Sequence, residues 1–167
     1  MRINLCEIIE MPGKSIPFQC ELDTERLFCP SITEFTKSPA ASGKIVNSAG
    51  ALTLIGTIEA EMRCVCDRCF GEYETTLKLP LEVKLAADLE SNDDPDIFAV
   101  DVNWLDLSDV LETCFILNTD AKFLCKEDCL GLCSKCGKNL NAGPCGCKKE
   151  VDPRLAVLGQ LLDIKDE

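Results

Sequence analysis

The sequence contains no histidine, and this absence removes several classes of chemistry. Without an imidazole there is no Ser-His-Asp or Cys-His catalytic arrangement, no imidazole general base and no histidine-containing metal site. The glycine-rich phosphate-binding motifs GxxxxGK[ST] and GxGxxG are also absent. We therefore expect a protein that is not an enzyme.

Positive charge is scarce. The chain has 17 Lys and Arg against 29 Asp and Glu, a formal net charge of −12. This excludes a protein whose whole surface attracts phosphates, so any nucleic-acid contact would need a local basic patch. The 167 residues, of which 46% are hydrophobic, suit one globular domain with a small appended module.

Long apolar runs are missing as well. Asn4 and Glu7 interrupt the first residues before any run of secretory length, and no stretch approaches the roughly 20 apolar residues that span a bilayer. We therefore expect a cytoplasmic protein without a membrane partner. Its thirteen cysteines, an odd number, would remain thiols in that reducing compartment, which favours metal binding over disulfides.

An alternating pattern predicts a long antiparallel hairpin in the middle of the chain. Apolar residues recur at every second position from Leu52 to Cys64 and again from Tyr73 to Leu85. Residues 66–71 join the two runs and place a CxxC motif at the hairpin tip. Pro80 predicts a bulge or an edge position.

Shorter alternating runs predict further strands of the same antiparallel sheet, at residues 3–5, 16–22 and 45–46. Residues 23–43 have a mixed pattern that predicts no element. The acidic stretch 88–96 has no periodicity and predicts an exposed loop.

Two helices are predicted in the last third of the chain. One covers residues 106–118 with Asp106 or Ser108 as its cap, and its apolar face comprises Leu107, Val110, Leu111, Cys114 and Leu117. The other is a short C-terminal helix after Asp152-Pro153, with an apolar face of Leu155, Leu158 and Leu162.

The predicted class is α+β: an antiparallel sheet with a long β-hairpin, a packing helix and a C-terminal cysteine-rich zinc module that ends in a short helix. We expect a β-sheet domain over residues 1–120, which includes the helix near 106–118. A metal-binding module with the C-terminal helix is expected over residues 121–167.

Six cysteines fall within 23 residues and carry the metal signal: Cys125, Cys129, Cys133, Cys136, Cys145 and Cys147. Structural zinc is held by four thiolates in a tetrahedron, and a CxxC turn brings two sulfurs to one ion. The order CxxC…CxC predicts a first zinc site, formed by Cys133, Cys136, Cys145 and Cys147. Gly137 follows the second ligand, where a positive φ is often needed.

The other two clustered cysteines allow a second site. Cys66 and Cys69 of the hairpin tip, with Cys125 and Cys129, would complete another set of four, so that eight cysteines hold two ions. The alternative is one ion with spare thiols, Cys66 and Cys69 being free in a turn. Cys20, Cys64 and Cys114 lie on predicted apolar faces, where cysteine is usually a small core residue.

Redox catalysis is the main enzymatic alternative. The CxxC at 66–69 joins two strands and does not open a helix, so a helix dipole cannot lower a thiol pKa there. Asp67 would oppose thiolate formation, whereas Arg68 would assist it. The polar face of the hairpin is more typical of a solvated surface than of a carboxylate pair; its acidic residues are Glu59, Glu61, Glu72 and Glu74.

Lysines are concentrated around the cysteine cluster. Residues 122–149 contain six lysines against Glu127 and Asp128, a net side-chain charge of 6 − 2 = +4. Two four-thiolate zinc sites, each of net charge −2, would cancel it. The lysines could contact phosphates or simply keep the module soluble, and Phe123 is the one ring in the segment for base stacking. We predict a partner-binding role for Lys135, Lys138, Lys148 and Lys149.

These residues together resemble the bacterial YceD family, also called the DUF177 family. The resemblance is carried by Cys66-Asp67-Arg68-Cys69, Asp106-Leu107 with Glu112, the run 125–141 with Cys145 and Cys147, and the run 152–158. The GLCxxCGxNLN core is specific, and residues 1–45 show no diagnostic match.

The resemblance implies a metal-binding, non-enzymatic role in ribosomal RNA accumulation or large-subunit assembly. The partner would be ribosomal RNA or a large-subunit ribosomal protein, and the acidic composition makes a basic ribosomal protein at least as good a fit as RNA. No small-molecule substrate is indicated. The alternative from another class is a thiol redox or iron–sulfur protein.

Overall fold

The computed structural model describes residues 1–86, 97–101 and 103–147. Within them the elements are β1 (Arg2–Asn4), α1 (Cys6–Ile9), β2 (Ser15–Glu21), β3 (Ile32–Ser48), β4 (Ala51–Val65), β5 (Glu72–Ala86), β6 (Ile97–Ala99), β7 (Trp104–Asp106), α2 (Leu107–Asn118) and a 3₁₀ turn at Leu140–Ala142. The predicted α+β class is confirmed. The predicted acidic loop at 88–96 and the predicted C-terminal helix lie outside the described residues.

The predicted long hairpin forms the centre of the main sheet, whose strand order is β2-β3-β4-β5-β6. β4 and β5 pair without a break from Leu52 opposite Leu85 to Val65 opposite Glu72. Pro80 lies opposite Thr57, and in the described part of the chain its other side is an edge, because β6 pairs only with Lys84–Ala86. The β5–β6 pairing is parallel, whereas the other described strand pairs of this sheet are antiparallel.

Two paired glycines allow β3 and β4 to approach closely. Gly43 lies opposite Gly56, and a Cβ atom on Gly43 would overlap the carbonyl oxygen of Ile55. The ring of Phe18 from β2 covers the pair, since a Cβ atom on Gly56 would lie 3.2 Å from its Cζ. Any larger residue at position 43 would therefore push these strands apart.

The N-terminal strands differ from the prediction in two ways. β1 does not join the main sheet but pairs with β7 in a separate two-stranded sheet, Ile3 lying opposite Leu105. The short run predicted at 45–46 is the end of the 17-residue strand β3, which begins inside the region that predicted no element.

α2 is confirmed over Leu107–Asn118, but its apolar face differs at the last turn. Leu107, Leu111 and Cys114 are buried as predicted. Leu117 was expected on that face but is 74% exposed. Phe115 is buried instead and packs against Phe35 with a ring centroid distance of 6.2 Å.

Candidate metal centres

Four cysteines from distant parts of the sequence meet where the hairpin tip contacts the segment after α2. The sulfurs of Cys66, Cys69, Cys125 and Cys129 all lie within 4.8 Å of one another, and we name this group the hairpin site. Cys66, Cys69 and Cys129 are buried. The structure therefore brings together the four cysteines that the sequence grouped as the second set.

Two sulfur–sulfur distances in the hairpin site match the edge of a tetrahedron of thiolates around a metal ion. The Sγ atoms of Cys66 and Cys129 are 3.8 Å apart, and those of Cys69 and Cys125 are 3.7 Å apart. A tetrahedron with metal–sulfur bonds of about 2.3 Å has sulfur–sulfur edges of about 3.8 Å. A disulfide would require about 2.05 Å. The donor set therefore fits a four-thiolate metal ion.

Asp67 fastens the hairpin tip to the segment after α2. Its backbone N–H donates to the carbonyl of Phe123 at 2.8 Å, and its carboxylate accepts from the backbone N–H of Phe123 at 2.7 Å. The Ser31 hydroxyl donates to the same carboxylate at 2.7 Å. The Asp67 carboxylate is therefore held by hydrogen-bond donors beside the cluster.

Arg68 makes the second link between the tip and the cysteine-rich segment. Its guanidinium donates to the carbonyl of Cys129 at 2.9 Å, and its own carbonyl accepts from the backbone N–H of Leu132 at 3.1 Å. Gly131 has a φ of 71°, and a Cβ atom there would lie 2.9 Å from the Arg68 carbonyl oxygen. Glycine is therefore required at 131 for both its conformation and its close contact.

Hydrogen bonds to sulfur favour the thiolate form of two members of the hairpin site. Burial opposes ionisation of Cys66, but backbone N–H donors from Cys125, Cys69 and Arg68 prevail and lower its pKa to about 6. Burial also raises the pKa of Cys129, but hydrogen bonds from the Asn141 amide and a backbone N–H outweigh it, so the pKa is lowered. Thiolate is the form that binds metal, so the local backbone supports a metal site.

Asn141 is a functional candidate that the sequence interpretation missed. Its side-chain amide nitrogen lies 3.3 Å from the sulfur of Cys129, and its side-chain oxygen accepts from the backbone N–H of Leu130 at 3.0 Å. It belongs to the NLN end of the cysteine-rich motif, where a polar residue among ligands is the available signal. Such donors orient ligands and tune the metal.

The second cluster lies entirely within the last described segment, and we name it the loop site. The sulfurs of Cys133, Cys136, Cys145 and Cys147 also lie within 4.8 Å of one another. Backbone N–H groups of Cys136 and Lys135 donate to the sulfur of Cys133 and lower its pKa to about 6. This group is the CxxC…CxC set that the sequence placed at the first zinc site.

Local hydrogen bonds shape the loop site. Gly137 donates its backbone N–H to the Cys133 carbonyl at 2.9 Å and has the predicted positive φ, 72°. The Lys138 ammonium donates to the carbonyl of Pro144 at 3.0 Å and so joins the two cysteine pairs. None of its four cysteines is buried, whereas three of the four in the hairpin site are.

The remaining cysteines do not join either cluster. Cys20, Cys64 and Cys114 are buried core residues, as predicted. Burial raises the pKa of Cys64 to about 11, so this thiol is inert at neutral pH. Cys6 is exposed and Cys29 is half-buried.

The acidic residues of the hairpin are surface ion-pair partners, as the solvated interpretation predicts. The Lys78 ammonium is 2.8 Å from Glu59, and the Lys37 ammonium is 3.6 Å from Glu61. Glu72 is exposed, and Glu74 is 3.0 Å from the guanidinium of Arg63. These carboxylates therefore form no proton-sharing pair.

The predicted partner-binding lysines are only partly covered by the structure. Lys135 and Lys138 are exposed on the loop site. Lys148 and Lys149 lie outside the described residues. Phe123, the predicted stacking ring, is 7% exposed and packs in the core, so it is unavailable to a base.

The fold and its clusters define a β-sheet protein with a cysteine-rich module that could hold two metal ions. The chain belongs to the YceD family, since the family model described as "Large ribosomal RNA subunit accumulation protein YceD" matches residues 54–162. That range includes all but the first three residues of the β4–β5 hairpin, together with α2 and all eight clustered cysteines. No curated protein and no solved structure shows significant similarity to the chain. None of the helices in the described residues has the length and apolarity that a membrane crossing requires.

Proposed function

We propose that this chain is a zinc-binding, non-enzymatic factor in large ribosomal subunit assembly. Its partner would be ribosomal RNA or a large-subunit ribosomal protein. The observation that carries the proposal is the pair of four-thiol clusters in a chain whose family is described by large-subunit ribosomal RNA accumulation. The net charge of −12 makes a basic ribosomal protein at least as good a fit as RNA.

Zinc in these sites would have a structural role. The hairpin site and the loop site each offer four thiols, and four thiolates fill the tetrahedral coordination of zinc. A catalytic zinc keeps one position open for water or substrate, and neither cluster leaves one. The ion in the hairpin site would hold the tip of the β4–β5 hairpin against residues 125–129, beside the Asp67 and Arg68 hydrogen bonds.

Metal analysis tests the proposal and its iron–sulfur alternative together, since four cysteines also suit iron–sulfur clusters. We expect two zinc ions per chain in protein purified both with and without oxygen, and no visible absorption. One zinc would restrict the proposal to a single filled site. Stoichiometric iron with visible absorption would contradict zinc as the native ion.

The proposed role in the cell is tested by rescue. Cells that lack the protein should accumulate less mature large-subunit ribosomal RNA, and the wild-type gene should restore it. Changing Lys135, Lys138, Lys148 and Lys149 to alanine should reduce the recovery of large-subunit components, because contacts between exposed charges weaken when the charge is removed. Zinc content and circular dichroism of the variant serve as controls. Full rescue by this variant would move the contact surface elsewhere.

A further inference from the structure

A cleft of about 490 Å³ opens beside the hairpin site. It lies between residues 28–31, the last turn of α2 and residues 119–123, with Asp67 of the hairpin tip at its edge. The hydrogen bonds of Asp67 to Ser31 and Phe123 hold these parts together. The cleft is therefore built by the same contacts that fasten the hairpin tip.

The cleft is surrounded by apolar side chains that the fold leaves in solvent. Phe28 is 80% exposed, Leu117 is 74% exposed and Ile116 is 50% exposed, while the buried rings of Phe115 and Phe123 form its floor. Three exposed large hydrophobic residues around one concave site are unusual for a monomer and mark an interaction surface.

The charged residues that line the cleft are both acidic. Asp67 and Asp120 line it, and no lysine or arginine does so among the described residues. α2 ends here without a basic residue in its last turn, so its C-terminal carbonyl groups add a partial negative charge. Phosphate groups would be repelled from this surface, whereas lysine and arginine side chains would be attracted.

We infer that this cleft binds a segment of a basic protein, in which one large apolar side chain enters the cleft and flanking lysines or arginines face Asp67, Asp120 and the end of α2. The choice of a ribosomal protein as the source of this segment rests on the proposed function. The other parts of the inference do not depend on it. Residues 148–167 of the chain itself fit less well, because four basic against five acidic residues give them a net charge of 4 − 5 = −1.

The test uses the full-length, zinc-loaded chain and peptides of known sequence. Overlapping 15-residue peptides cover the large-subunit ribosomal proteins of the same organism, and peptides covering residues 148–167 of this chain are included. Fragments of large-subunit ribosomal RNA are tested in parallel. We expect binding to peptides that combine a large apolar residue with lysines or arginines, and weaker binding as salt rises.

Substitutions locate the binding surface. Phe28→Ser, Leu117→Ser and Asp120→Lys should each reduce the peptide affinity about tenfold, as expected for central contacts of an interface. Because these side chains are exposed, the variants should keep their fold and zinc content. Met11→Ser and Glu10→Lys are the controls, because they make the same kinds of change away from the cleft. Both residues lie in the exposed turn after α1, beside Asn47 at the opposite end of β3. These two variants should leave the peptide affinity unchanged.

The outcomes separate the inference from the proposed function. Equal peptide affinity for the cleft variants and the controls would overturn the inference, as would binding of RNA fragments alone or of the 148–167 peptides alone. The cleft variants are also expressed in cells that lack the protein. If they restore large-subunit ribosomal RNA to the wild-type level, the proposed function stands and does not depend on this cleft. Failure of the wild-type gene to restore it would instead contradict the proposed function.

Discussion

Phe70 has a backbone conformation that suits its side chain poorly. It follows the second cysteine of the hairpin-tip CxxC and has a φ of 55°, whereas Gly137 has a φ of 72° at the same place in the loop site. Left-handed backbone is costly for residues with a Cβ atom and free for glycine. Because the ring is 69% exposed, its packing contacts offset little of the free-energy cost of the left-handed backbone.

We therefore expect Phe70→Gly to increase the free energy of unfolding by about 1 kcal/mol. Urea denaturation of the zinc-loaded protein measures it. Phe70→Ala is the matched control, because it removes the ring but keeps a Cβ atom in the left-handed conformation, and it should give no gain. A glycine variant less stable than wild type would show that the ring contributes more through contacts than its backbone costs.

At the scale of elements, α2 is joined to the loop before β3 by a half-buried ion pair. The carboxylate of Glu112 on α2 is 4% exposed and lies 2.8 Å from the guanidinium of Arg26, which is 54% exposed. Arg26 also contacts Asp109 at 3.3 Å. Burial raises the pKa of Glu112, with Asp23 and Asp109 adding to the rise, and Arg26 opposes it.

Arg26→Met should lower the free energy of unfolding by about 1–3 kcal/mol at pH 8, because it leaves a buried carboxylate without its cation. A carboxyl group whose pKa is higher in the folded state destabilises the fold above its unfolded pKa, and the penalty disappears as it becomes protonated. The loss should therefore be smaller at pH 5 than at pH 8. Urea denaturation at both values measures it.

Glu112→Gln in the Arg26→Met background is the control for that prediction. It removes the ionisable group, so the difference between pH 5 and pH 8 that the single variant introduces should disappear. A loss equal at both pH values in the single variant would assign the effect to packing of the Arg26 side chain.

The elements that the sequence predicted are those with one buried and one exposed face over many residues. β4 and β5 satisfy this condition, so the alternation of apolar and polar residues predicted both strands and their antiparallel pairing. The first half of β3 does not, because Ile32–Ala40 contains three register shifts against β4 and is mostly exposed. β6 and β7 have three residues each, too few for a period to be recognised.

At the scale of the whole molecule, the two clusters differ in what they connect. The loop site joins residues within 133–147, whereas the hairpin site joins the β4–β5 hairpin to the segment after α2. The spacing CxxC…CxC was enough to group the first set. The second grouping followed from counting alone, since no spacing rule relates Cys69 to Cys125 across 56 residues. The predicted domain boundary at residue 120 stays a prediction.

Replacing two ligands in each site should separate these roles. Cys66→Ser with Cys69→Ser should remove about one equivalent of zinc and expose residues 121–147 to protease, because metal binding is coupled to folding. Cys136→Ser with Cys147→Ser should also remove about one equivalent but leave the hairpin tip protected. Zinc analysis and limited proteolysis with mapped fragments measure both effects. Unchanged zinc in the first double variant would leave the one-ion alternative standing.

Because the hairpin-site cysteines are far apart in the sequence, they become available at different times during translation. A ribosome adds roughly 5–20 residues per second, so Cys125, 56 positions after Cys69, is added roughly 3–11 s later. During that interval the nascent chain carries half of the donor set. All four ligands are present only after Cys129 has left the ribosome. Four-thiolate binding of an ion at the hairpin tip is therefore a late step in the synthesis of each chain.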